Sequence, residues 1–350
     1  MLVHFILFII ILFLYLHITD QYKKGENLEV YEMDYIDNGE LQEVCNVKQP
    51  VIFDAPKENA VMGFFDKMRG ILESYYGSYE VRVKDTNDYS KDNVIDSIGL
   101  PLQSAQNLFI TDTQSHYFSE DNGTFLEETG MGSLYSLMNT SLKPPLILYT
   151  NEDIWFGSKG TATPLRYHTF YRRFLYVISG KVYIKLTPWK STKYLNPIKD
   201  YEQYDFRSTY NPWSTEGANS SLQFVEAEVR AGQILYLPPY WWYSIQYVGD
   251  EPTYVGVQTY HSGMNIAAHI TDLTFYFLQN HNIQKTYRKY TGQEHKEPIR
   301  EMILPITNSN IYTNTIPVEE TVESEKEATL RLTEDLLMPS VSSVSSVPLA

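Results

Sequence analysis

The sequence predicts a mainly β fold, a sandwich or barrel of short strands, and three observations carry that expectation. Period-two alternation dominates from Phe174 onward: in GKVYIKLTP, Val182, Ile184 and Leu186 point one way, and Lys181, Tyr183, Lys185 and Thr187 the other. The apolar runs are short and are punctuated by Gly, Pro and Asn turns. Aromatic residues are abundant, with 29 tyrosines among 350 residues, and they suit half-buried pleated surfaces.

In chain order, the first element is Leu2–Ile18, LVHFILFIIILFLYLHI, seventeen residues without a formal charge. As a helix it would span about 25 Å, close to a hydrocarbon core of about 30 Å. It has neither the basic start nor the small-residue cleavage site of a signal peptide, so residues 2–18 are expected to be an uncleaved transmembrane anchor. Lys23 and Lys24 follow the span, which by the positive-inside rule places the main domain on the cytosolic side. Glycosylation triplets at Asn122, Asn139 and Asn219 are no more than chance supplies in this composition. Residues 19–46 read as a polar connector and 47–285 as the domain. Within it, Gln49–Asp54 opens as a strand, Ala60–Tyr75 as a helix and YEVRVKD as a strand. Phe125–Met138 reads as a helix and Pro144–Thr150 as a strand. Further strands follow at Leu222–Val229, Gln233–Leu237, Trp241–Val248 and Thr253–Tyr260. In Asn265–Asn280, Ile266, Ile270, Leu273 and Phe277 line one helix face, which would pack on its own domain or join two copies as a homodimer. Residues 286–316 form a C-terminal extension. From Pro317 to 350 the chain is acidic, then Ser/Val-rich, lacks the aromatics for a core, and is expected to be disordered.

Composition also excludes. A net charge of −15 leaves no basic stripe for phosphates, so no nucleic acid is expected, and Lys285, Arg288 and Lys289 read as a solvated helix face. A single cysteine, Cys45, rules out an intramolecular disulfide and a cysteine zinc site. FGSKGT lacks the spacing of a phosphate-binding loop, and no Gly-x-Ser-x-Gly elbow occurs.

Two stretches carry the chemistry: KGTATPLRYHTFYRRFLYVISGKVYIKLTPW, Lys159–Trp189, and AGQILYLPPYWWYSIQY, Ala231–Tyr247. With VGVQTYHSG at Val255–Gly263 as a closing strand, they resemble the cupin-like and JmjC-type double-stranded β-helix proteins. That group includes the asparaginyl hydroxylase acting on the hypoxia-inducible factor. FGSKG running into TPLRY further resembles the membrane-anchored cupin-like proteins of large DNA viruses. The resemblance covers roughly Gln49–Asn280 and implies a double-stranded β-helix (cupin or jelly-roll) with flanking helices.

In catalytic members of the family, Fe(II) is held by His-x-Asp/Glu and by a second His after the Trp pair, leaving positions for 2-oxoglutarate and oxygen. Carried over residue by residue, the pattern departs at each diagnostic place. Forward from Thr163-Pro164-Leu165, the His position is Arg166 and the acid position His168; backward from Gly180, the pair becomes Tyr167 and Thr169. The third ligand position is Tyr243, and the 2-oxoglutarate lysine position is Val182. A guanidinium has no lone pair to give. At about 4 Å from a divalent ion it would add roughly 8 kcal/mol of repulsion. A neutral tyrosine is a poor Fe(II) ligand.

His168 and His261 remain as histidines near the pocket mouth. His295 with its acid two residues on lies in a charged loop, His116 reads as a surface residue, and His269 with Asp272 as an exposed helical pair. The expectation is therefore a membrane-anchored module without metal or cofactor that works by binding or as structure. Its pocket would be built from Arg166, Tyr167, His168, Arg173, Trp241, Tyr243 and Gln258, with Arg172 nearby, and would take an anionic small molecule or acidic peptide. The alternative is a divergent Fe(II)/2-oxoglutarate-dependent protein hydroxylase using His168 and ligands the motif does not reveal; a third is a purely architectural membrane or virion component, with the domain as a spacer and the acidic tail as the contact.

Overall fold

A computed structural model describes residues 1–74, 76–87, 97–214, 220–249 and 253–285. The C-terminal extension, the tail, His295 and Asn219 lie outside the described residues. The helices are α1 (Leu2–Asp20), α2 (Asn38–Asn46), α3 (Asn59–Ser74), α4 (Leu102–Thr111), α5 (Gly123–Glu128), α6 (Asn139–Leu142), α7 (Gly263–Ala268) and α8 (Ile270–Lys285). The strands run β1 (Tyr31–Glu32), β2 (Val51–Asp54), β3 (Glu80–Asp85), β4 (Ile98–Pro101), β5 (Tyr117–Ser119), β6 (Ile147–Gly157), β7 (Leu165–Tyr167) and β8 (Arg172–Ser179). They continue as β9 (Lys181–Thr187), β10 (Ile198–Asp200), β11 (Asp205–Ser208), β12 (Val225–Arg230), β13 (Gln233–Leu237), β14 (Trp242–Val248) and β15 (Thr253–Ser262).

Two sheets result. One has nine strands in the order β1-β2-β13-β8-β15-β6-β5-β3-β4, the other six in the order β10-β11-β7-β14-β9-β12. The alternation read from the sequence decides how they meet. Val182, Ile184 and Leu186 of β9, with Tyr243, Ile245 and Tyr247 of β14, face Leu175, Val177, Leu235, Val255 and Val257 of the larger sheet. The other face of the larger sheet is covered by α2, α3 and the turns around Leu134, with Phe174, Tyr176 and Tyr260 pointing into them. On the outer face of the smaller sheet, Tyr167, Phe206, Tyr240 and Trp242 make a third apolar layer.

The structure differs from the sequence expectations at identifiable places. The connector is already domain from Asn38: Leu41 and Cys45 on α2 are fully buried, and Asp37 caps that helix by accepting from the Glu40 N–H. The helix expected over Phe125–Met138 breaks at Gly130, whose φ of 71° admits the turn into a 3₁₀ segment, Met131–Met138. The helix expected over Asn265–Asn280 is two helices meeting at His269. α1 is long and apolar enough to cross a membrane, with a mean hydropathy of 2.5 and none of its residues buried.

Candidate functional site

A cleft of about 1000 Å³ opens at the end of the sandwich where β7, β8, β14 and β15 converge, walled by β6, the segment from Glu120 to Ser133, and α7 and α8. Its floor is charged. Arg166 pairs across the strands with Tyr243, and its guanidinium grips the Glu120 carboxylate with both terminal nitrogens, one at 2.8 Å. Lys84 on β3 reaches the same carboxylate at 2.9 Å and also pairs with Asp121. All three interior partners are nearly inaccessible: Lys84 3%, Glu120 3% and Arg166 6% exposed. Burial alone would raise the Glu120 pKa, but Arg166 and Lys84 hold it well below the usual carboxylate range. Glu120 and Asp121 likewise keep Lys84 protonated against the cost of burial.

His168 sits beside this cluster, buried, with both ring nitrogens engaged. The Phe170 N–H donates to Nδ1 at 3.2 Å, which assigns the proton to Nε2, and Nε2 donates to the Leu237 carbonyl at 3.1 Å. Burial and the nearby Arg173 push its pKa well down, so the ring is neutral. Tyr243 stands between two cations: Arg166 lies 5.7 Å from its ring centroid, and its hydroxyl accepts from Arg173 at 3.2 Å. Together these donors do not fit an Fe(II) facial triad. Arg166 has no lone pair, and His168 has both nitrogens committed. Tyr243, at the position the resemblance assigns to a second histidine, accepts a hydrogen bond from Arg173. Among the described residues no cluster of three His, Cys, Asp or Glu side chains could hold a metal.

Arg173 differs from the other interior arginines. Its Nε donates to Thr259 at 3.1 Å and one terminal nitrogen to Tyr243, and the guanidinium lies 4.6 Å over Phe170. No carboxylate pairs with it among the described residues, whereas Arg166 has Glu120 and Arg207 has Asp200 at 3.1 Å. Beside it, His261 stacks on Tyr149 at 4.2 Å. Burial, with Arg173 close by, lowers the His261 pKa to about 4.

Of the residues chosen from the sequence, the structure brings Arg166, His168, Arg173 and Tyr243 together on the cleft. Tyr167 borders it, but its ring turns to the outer layer against Trp189 and Trp242. Trp241 and Gln258 are elsewhere. Trp241 is fully buried and donates to the Lys48 carbonyl. Gln258 faces the helices, accepting from Tyr176 at 2.6 Å and donating to Asn139. Arg172 is also fully buried, turned away to Asn46 and Gln42. Strand alternation explains these placements: Arg173 shares the face of Leu175 and Val177, and Arg172 the opposite one. His269 is not an exposed partner of Asp272. It is buried and bonded to the Tyr240 hydroxyl at 2.7 Å, while Asp272 pairs with Lys199 and Tyr201. Sequence reasoning missed Glu120 and Lys84, which lie 46 and 82 residues before Arg166 and carry no motif.

A family model for a cupin-like domain matches residues 38–269. The chain belongs to that family. Its named relatives are JmjC-domain proteins. JmjC domain-containing protein D of Dictyostelium discoideum is 32% identical over 98 residues, 27% of this chain and 22% of that protein. Lysine-specific demethylase JMJ30 of Arabidopsis thaliana is 32% identical over 102 residues, again 27% and 22%. The chain thus matches about a fifth of the length of these two. JmjC domain-containing protein 8 of Mus musculus is 24% identical over 223 residues, 63% of this chain and 78% of that protein.

Proposed function

We propose that this chain is a membrane-anchored cupin-like module that works by binding a small anionic ligand or an acidic peptide side chain, without Fe(II) or 2-oxoglutarate. The observation that carries this reading is the Arg166–Glu120–Lys84 cluster, buried on the cleft floor at the position that the forward reading from Thr163-Pro164-Leu165 assigns to a first metal ligand. With Asp121 paired to Lys84, the two cations are balanced by two carboxylates, so a further cation has no vacancy to fill. The ligand contact falls to Arg173, a half-buried guanidinium held in place by Thr259, Tyr243 and Phe170 with donors left over. A carboxylate or phosphate oxygen would complete that fork. Thr259 and His261 flank it and would set the ligand's orientation. α1 would hold the module at a membrane, with Lys23 and Lys24 favouring the cytosolic face.

The test is thermal unfolding of the detergent-solubilised full chain with phosphate, succinate or 2-oxoglutarate, each with and without Fe(II). The proposal expects stabilisation by at least one anion, independent of Fe(II) and absent in Arg173→Ala. Stabilisation that requires Fe(II) together with 2-oxoglutarate would favour the hydroxylase reading. No response to any anion would leave the purely architectural one.

A further inference from the structure

α1 is not a free tether. At its C-terminal end Gln21 is buried, the Tyr22 hydroxyl donates to the Ala268 carbonyl, and the Tyr22 ring lies 5.5 Å from His269. The Lys24 ammonium sits 4.2 Å over Trp189. The chain therefore enters the domain at the junction of α7 and α8, and α8 starts two residues after the Ala268 contact.

The outward face of α8 is unusual for a surface helix. At 100° per residue, Ile270, Thr274, Phe277, Leu278 and His281 share one side. Ile270 is 58%, Phe277 68% and Leu278 54% exposed. Phe275 and Tyr276, by contrast, rest on Tyr201 and Tyr204. The only formal charge from Ile270 to His281 is Asp272, and it is occupied by Lys199 and Tyr201. Leu148, 68% exposed, extends the apolar surface beside Gly263 at the start of α7.

Building on the anchor reading above, we propose that α8 lies in the interfacial layer of the membrane that α1 crosses, so that the domain is held against the lipid by a second contact. Aromatic and aliphatic side chains without charges are what that layer accepts. The stitch at Ala268 places the start of α8 at the membrane exit of α1. The cleft wall contributed by α7 and α8 would then be oriented relative to the bilayer instead of tumbling on a tether.

The experiment uses the full chain in phosphatidylcholine vesicles containing spin-labelled lipid. A thiol-reactive fluorophore is placed at Phe277→Cys, at Leu278→Cys as a second probe, at Phe8→Cys within α1, and at Arg230→Cys. The last site lies where β12 pairs with the start of β9, at the end of the sandwich away from the cleft. Cys45 is fully buried and stays unlabelled in the folded chain. Lipid quenching at positions 8, 277 and 278 at least twofold above that at 230 is the expected result. Quenching at 8 but not at 277 or 278 overturns the docking while leaving the anchor intact. No quenching at 8 removes the anchor, and the docking with it. A label at 277 that is shielded but unquenched, with 277-to-277 crosslinking, also overturns it and makes the face a contact between two copies.

Discussion

Replacing Glu120 by Gln removes the one carboxylate that two buried cations share. At an effective dielectric of about 20, opposite charges at the observed separations of 2.8 and 2.9 Å attract by about 6 kcal/mol each. Desolvating each ion costs several kcal/mol, so the intact cluster is close to neutral for stability. Its rupture is not, because an uncompensated guanidinium remains in the interior. Lys84 keeps Asp121, so the loss falls chiefly on Arg166. Glu120→Gln should therefore destabilise the fold by about 3–5 kcal/mol. Denaturant titration of the full chain in micelles, followed by tryptophan fluorescence, measures it. The double variant Glu120→Gln with Arg166→Met should recover much of the loss, since the guanidinium left unpaired is gone as well. A Glu120→Gln chain within about 1 kcal/mol of the parent would refute the reasoning. Arg166 would then be free to swing away from the metal position.

Acid should unfold the domain early. His261 titrates at about 4 when folded and near 6.5 when unfolded, so the unfolded chain binds the extra proton between those values. Stability is complete above about 6.5 and falls with pH through this window, by about 3 kcal/mol from His261, with His168 acting in the same direction. Denaturation midpoints at pH 7 and pH 4.5 should differ less in His261→Phe, which retains the stack on Tyr149; an unchanged difference would contradict this. Cys45 should resist thiol reagents in the native state, because it is fully buried and burial pushes its thiol up to about 12. Rapid stoichiometric labelling of the native chain would show that α2 does not stay packed.

The two-sheet architecture was legible because its signal is local. Val182, Ile184 and Leu186 against Trp241, Tyr243, Ile245 and Tyr247 already define the inner face, and both sets point there. α2 was not read from the sequence: residues 19–46 passed as a polar connector because the composition around Leu41 and Cys45 is polar. The site was only half legible. TPLRYH placed Arg166 and His168, and PPYWWY placed Tyr243, because those positions are fixed by strand phase. What neutralises Arg166 is Glu120, from the segment after β5, a carboxylate it shares with Lys84 of β3, and no spacing rule links residues so far apart in the chain. Gln258 was misplaced because a strand residue one step out of phase faces the opposite layer, whereas Trp241 keeps the phase of Tyr243 but is buried just before β14 and bonded to the Lys48 carbonyl, away from the cleft.

What occupies the position that the resemblance assigns to a metal separates the binding module from a hydroxylase. The most direct measurement is the iron content of the full chain purified with Fe(II) and 2-oxoglutarate present, read alongside succinate release. A binding module should hold substoichiometric iron that is unchanged by His168→Ala, and release no succinate above background. One iron per chain, lost in His168→Ala together with 2-oxoglutarate turnover, would contradict it.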